Sequence, residues 1–213
     1  MEGNEIYCTE RKIQSIHHPN RGTFASHCLV SYQFVFRVPT GIKTLHAAPL
    51  MGAGATVFSA LSSFDVRATD KVAIVGLGGV GHLAVQFARA WGCDVVVLST
   101  SPDKRDDAFE LGATEFVVTS QGWTENLAGT VDVLLLVANI KPDKWNEYLS
   151  ILVPRAKIIL VTAGIDALGI PVASFVDTLI VVLSHYSARL SNLRLFNRVT
   201  ERNGQDAELC GTS

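Results

Sequence analysis

Residues 71–101 read KVAIVGLGGVGHLAVQFARAWGCDVVVLSTS, and this stretch decides the fold. A buried strand runs into a glycine-rich turn, an amphipathic helix and a second buried strand, within the roughly 30 residues of one βαβ unit. The glycines Gly76, Gly78 and Gly81 fall in the order G-x-G-x-x-G, with Leu77, Gly79 and Val80 between them. Each glycine has a physical task. The first permits the tight turn, the second lets backbone approach a pyrophosphate, and the third lets the helix pack close to the strand. The helix N-terminus then presents free N–H groups and the positive end of its dipole to phosphate. A strand before the glycines and a helix after them separate a dinucleotide-binding turn from an ordinary glycine turn.

The tip of the second strand selects the cofactor. An NAD site places Asp or Glu about 20 residues beyond the glycines to bind the ribose 2′-hydroxyl. Here the strand over residues 94–98 runs into Ser99, Thr100 and Ser101, with Lys104 and Arg105 just behind. Small donors and cations suit a 2′-phosphate, which an acidic tip would repel. NADP is therefore expected, with NAD possible, because Asp103 adds a negative charge nearby. Ser101 and Pro102 also fit an N-cap and first position of the next helix, and both readings hold together.

Outward from this unit, the strand–helix rhythm continues. A helix is expected over residues 102–111, stopped by Gly112, and a short strand over 115–118. Residues 131–137 (VDVLLLV) form an apolar run suited to a central parallel strand covered on both faces. A helix over 143–152 and a strand over 157–161 follow, with later strands over 170–172 and 179–183. The expected fold is an α/β, Rossmann-type, doubly wound parallel sheet. Residues 28–38 (CLVSYQFVFRV) read as a strand of a different, β-rich domain, and residues 51–64 as a helix of small residues.

Composition bounds the function. The 213 residues are 48% hydrophobic and 18% charged, with a net charge of −2, so a sizeable core is available and polyanionic partners are disfavoured. The apolar runs are strand-length, so no membrane span is expected. MEGNEIYCTERK has no apolar h-region, and Cys8, Cys28, Cys93 and Cys210 include no C-x-x-C pair, which suits a reducing cytoplasm. Neither G-x-S-x-G nor H-E-x-x-H occurs, so hydrolase chemistry has no support.

Five stretches resemble the medium-chain zinc-type alcohol dehydrogenases, especially their cinnamyl-alcohol-dehydrogenase-like, NADP-using branch. They are GNEIYC (3–8), FVFRVPTGI (34–42), AAPLMGAGATVFSAL (47–61), the glycine unit through LGATEF (76–116) and YLSILVPRAKIILV (148–161). The resemblance implies a GroES-like catalytic β-domain, here a partial remnant over residues 1–47, a Rossmann domain over 48–200 and a polar tail over 201–213. It implies hydride transfer between NADP(H) and a small alcohol or aldehyde, a zinc that polarises the substrate oxygen, and a homodimer paired through the edge strand near residues 179–184. It places Thr56 near the nicotinamide, although a helix-interior hydroxyl bonded to its own backbone is the other reading. The resemblance puts Val137 where the family has a cofactor-contacting threonine and Thr162 where it has a glycine, which leaves both as candidates for backbone contacts at the carboxyl ends of strands.

The departures from the pattern concern the metal. Gly52 stands where the family has a zinc-binding cysteine, and glycine offers no donor. Cys8 resembles one of four structural-zinc cysteines without its partners, and one cysteine cannot hold a tetrahedral zinc. The chain thus resembles a dehydrogenase shortened at both ends, with zinc expected for the family but its ligands missing. Two alternatives follow, a non-catalytic dinucleotide-binding or dimerisation module and a zinc-independent reductase of the quinone-reductase type. GNEIYC speaks against the second.

Overall fold

The computed structural model describes residues 10, 25–30, 32, 35–120 and 122–161, together with the backbone of Val181–Ser184. Residues Pro49–Ala188 form one compact unit, and Met1–Ala48 with Arg189–Ser213 fall in another.

In the first unit, the described part of the stretch 28–38 joins no β-ladder, contrary to the strand expected there. Leu29 is 101% exposed and Tyr32 83%. β-Propensity is chiefly a measure of cross-strand packing, and no described neighbour supplies it. Helix α1 (Thr44–Pro49) follows.

The second unit opens with a π-helical turn, Leu50–Gly54, which leads into α2 (Ala55–Ser63). The single helix expected over 51–64 is thus a shorter helix entered through a wider turn. Next come β1 (Lys71–Val75), α3 (Gly81–Trp91) and β2 (Asp94–Ser99). A 3₁₀ turn, Pro102–Lys104, precedes α4 (Arg105–Glu110), and β3 (Glu115–Val118) closes this half of the sheet. Then follow β4 (Val131–Leu136), a second 3₁₀ turn (Pro142–Lys144), α5 (Trp145–Ser150), β5 (Leu152–Leu160) and β6 (Val181–Ser184). The helix expected over 143–152 is therefore narrower, because the Pro142 turn winds as 3₁₀. Ser101 stands at the N-cap of the first 3₁₀ turn, with the extended backbone usual there and Pro102 after it, as expected, but its side chain makes no capping hydrogen bond.

All strands pair in parallel, in the order β3-β2-β1-β4-β5-β6. This is the doubly wound arrangement that the alternating strands and helices led one to expect. Side chains alternate between its two faces. One face gathers Ala73, Val75, Val96, Leu98, Leu134 and Leu136 under Trp123, Leu127, Trp145 and Tyr148. On α3, Leu83, Ala84, Phe87 and Ala88 are buried, and the Phe58 ring of α2 meets Phe87 and Trp91 edge-on at 6.3 and 5.4 Å. Helix α3 ends in a paired cap, Cys93 N–H donating to Ala88 O and Gly92 N–H to Arg89 O, the Schellman pattern.

Candidate dinucleotide site

In such a sheet, ligands lie beyond the carboxyl ends of the strands where the strand order reverses. Here that point lies between β1 and β4. Gly76 follows β1 with φ +97°, a conformation that a side chain resists. A Cβ on Gly76 would meet Ala138 Cβ at 2.7 Å, so the turn passes tightly against the end of β4. Gly76 N–H donates to Leu98 O at 2.9 Å, which ties the turn to β2 as well.

Gly81 begins α3. A Cβ there would run into the Gly76 carbonyl oxygen, with Val137 Cγ2 at 3.3 Å. The half-buried Val137 side chain thus forms an apolar floor beside the helix start, and its N–H donates to Val75 O at 3.3 Å. Gly78 and Gly79 behave differently: both are exposed, and a Cβ on either meets nothing within 4 Å. Leu77 is buried between them and Gly76, and Val80 leads into the helix with φ −95°. No described residue accepts the N–H groups of Gly78 or Gly79. An open space bordered by free donors at a helix N-terminus is what a pyrophosphate requires.

The tip of β2 is more ordered than its composition suggests. Ser99 is 6% exposed. Its hydroxyl donates to Ser101 O at 3.2 Å and accepts from Ser101 N–H at 3.1 Å, so it locks the tip into a small closed loop. Thr100 is exposed and Ser101 half-buried. Lys104 folds back to donate from Nζ to Leu77 O at 2.9 Å. This bond brings the cation to the glycine turn itself, a link that sequence spacing does not reveal.

Thr56 Oγ1 donates to Gly52 O at 2.9 Å, so the hydroxyl is satisfied one turn back, in the π-helical turn that leads into its helix. Thr162 lies outside the described residues, as do Cys8, His17, His18, His185 and Cys210; Val161, just before Thr162, donates its N–H to Leu136 O at 2.9 Å. His82, at the start of α3, places Nδ1 3.1 Å from Gly78 O.

A cavity of about 530 Å³ is lined by Thr119, Ser120, Trp123, Thr124, Lys144 and Glu147, with no residue of the glycine turn among its walls. Thr119 N–H donates to Ser99 O at 2.8 Å, so the cavity borders the β2 tip. Within it, Glu147 accepts from Trp123 Nε1 at 2.7 Å and from Lys144 Nζ at 2.5 Å. The Lys144 hydrogen bond, and next the Trp123 one, hold the Glu147 carboxyl below its usual range.

The described residues do not fit a zinc ion. Gly52 is exposed and has no donor atom, and no three His, Cys, Asp or Glu side chains converge among the described residues. Among the described residues, no helix is long and apolar enough to cross a membrane.

A family model described as zinc-binding dehydrogenase matches residues 79–194. A probable formaldehyde dehydrogenase of Bacillus subtilis is 39% identical over 176 residues, covering 78% of this chain and 49% of that protein. An NADP-dependent alcohol dehydrogenase of Mycolicibacterium smegmatis is 36% identical over 158 residues, covering 70% of this chain and 45% of its own length. Among solved structures, a cinnamyl alcohol dehydrogenase of Sorghum bicolor superposes with a TM-score of 0.75 at 30% identity, covering 82% of this chain and 50% of that one. The chain spans about half the length of the curated relatives it matches.

Proposed function

The chain belongs to the zinc-binding dehydrogenase family, and from that premise we propose that it carries the NADP(H) site of an alcohol dehydrogenase-like oxidoreductase acting on a small alcohol or aldehyde. The observation that carries this reading is the turn itself. Gly76 bends at positive φ, Gly81 touches Gly76, and the Gly78 and Gly79 positions stand open.

Bound NADP(H) supplies a hydride carrier; the chain's own residues hold and orient it. The backbone from Gly76 through Leu77, Gly78, Gly79, Val80 and Gly81 receives the pyrophosphate. Thr100, Ser101 and Lys104 face the 2′-phosphate, on a tip that Ser99 keeps in shape. Thr56, Val137 and Thr162 are assigned to the nicotinamide end. NADP is preferred over NAD because the residues from Ser99 to Ser101 bring hydroxyls where an NAD site brings a carboxylate. A relative named as NADP-dependent supports the same choice.

Intrinsic-fluorescence titration tests this. NADPH is expected to bind more tightly than NADH, and Thr100→Asp to weaken NADPH by setting a carboxylate against the 2′-phosphate. Equal or reversed affinities overturn the assignment.

A second reading, a dinucleotide-binding module without catalysis of its own, is favoured by Gly52, where the resemblance calls for a metal ligand. NADPH consumption with an aromatic aldehyde separates the two. The reading extends to assembly and place: a homodimer joined through β6, in the cytoplasm, where the free thiols of Cys28 and Cys93 stay reduced.

A further inference from the structure

Two side chains from different elements grip consecutive carbonyls of the glycine turn. Lys104 Nζ donates to Leu77 O at 2.9 Å. Gly78 O accepts from His82 N–H at 3.0 Å and has His82 Nδ1 at 3.1 Å. A carbonyl oxygen only accepts, so Nδ1 carries the proton in this contact. In a trans peptide, each C=O points opposite to the N–H that follows it. Holding Leu77 O therefore sets the direction of Gly78 N–H, and holding Gly78 O sets that of Gly79 N–H. Those two donors find no acceptor among the described residues, and both positions open into free space.

We propose that Lys104 and His82 are positioning residues of the pyrophosphate cradle: they hold its two peptide planes so that the Gly78 and Gly79 N–H groups are preset for an anion. Lys104 thereby serves any dinucleotide, with or without a 2′-phosphate, beyond the 2′-phosphate contact assigned to it above. Preset donors bind an anion without the cost of ordering a loop first. The inference rests on the reading that this turn binds a dinucleotide.

The test compares NADPH, NADH and 2′,5′-ADP, which carries a 2′-phosphate but no pyrophosphate, on the full chain. Lys104→Met is expected to weaken NADH about tenfold, the effect of one lost charge-assisted hydrogen bond, with the thermal unfolding midpoint unchanged. Lys104→Arg, which keeps a donor, should restore most of that affinity, a rescue that a merely structural role would not produce. His82→Leu should also weaken NADH while leaving 2′,5′-ADP nearly unaffected, and it gives a second reading independent of how Lys104→Met folds. If Lys104→Met weakens NADPH and 2′,5′-ADP but spares NADH, Lys104 acts on the 2′-phosphate alone and the proposal falls while the cofactor assignment stands. Unchanged NADH affinity in His82→Leu overturns the His82 half. A wild-type chain that binds neither NADPH nor NADH removes the cofactor assignment and the proposal with it.

Discussion

The carbonyl oxygen of Gly76 occupies the space that a Cβ on Gly81 would need. Gly76 opens the turn directly after β1 and Gly81 begins the helix, so their contact sets how closely α3 approaches β1. Gly81→Ala must push backbone against backbone, because no flexible side chain can give way. Overpacking of this kind costs about 1–3 kcal/mol, and urea unfolding should show a loss of that size. A variant as stable as the wild type would mean that the helix moves away without penalty.

Gly78 gives the opposite expectation. Its φ is not in the left-handed region, and a Cβ there meets nothing. Gly78→Ala should leave stability unchanged or raise it by a few tenths of a kcal/mol, since alanine restricts the unfolded chain. NADPH affinity should fall, because the methyl group stands where the pyrophosphate approaches. Loss of stability together with binding would show that the position is structural instead.

These two glycines also mark how far the sequence is legible. A missing Cβ is a fact about composition, so the turn, its strand and its helix follow from the order of the residues alone. Central strands are equally clear: apolar runs such as Val131–Leu136, broken only by Asp132, have few other uses in a chain of this kind. Elements whose form depends on partners are not. The stretch 28–38 has strand-like residues but joins no ladder among those described, and Leu50–Gly54 winds as a π-turn inside a helical pattern. Trp123 and Leu127 lie in a stretch without helical or strand period, yet they are buried beneath the sheet. At the site, the composition of the β2 tip is plain, whereas the Lys104–Leu77 bond spans 27 residues and follows only from the fold.

Cys93 offers a check through pH. It is fully buried, and its Sγ donates to Arg67 O at 3.3 Å. Burial first, and the Asp70 charge second, push its thiol from 9.0 to about 11. The folded chain therefore keeps this proton where the unfolded chain releases it. Stability from this source is complete below about 9 and is lost as the pH rises from 9 towards 11. Urea midpoints at pH 8 and pH 10.5 should fall more steeply in the wild type than in Cys93→Ala. Parallel declines in the two proteins would dismiss the effect.

The sheet ends, among the described strands, at β6 (Val181–Ser184), which pairs in parallel with β5 on one side. An edge strand leaves a row of backbone donors and acceptors open to another chain. The segment VVLS has three apolar residues, two of them β-branched, and no charge, without the lysine or proline that protects many edges. A second copy adding its own β6 would extend the sheet across a two-fold axis, with the same residues meeting on both sides. Val181→Lys brings two like charges, one from each copy, into that contact. The variant should shift the protein towards monomer in sedimentation or light scattering at micromolar concentration, while cofactor binding at the distant glycine turn persists. A wild-type chain that stays a monodisperse monomer at high micromolar concentration would show that this edge is covered in some other way.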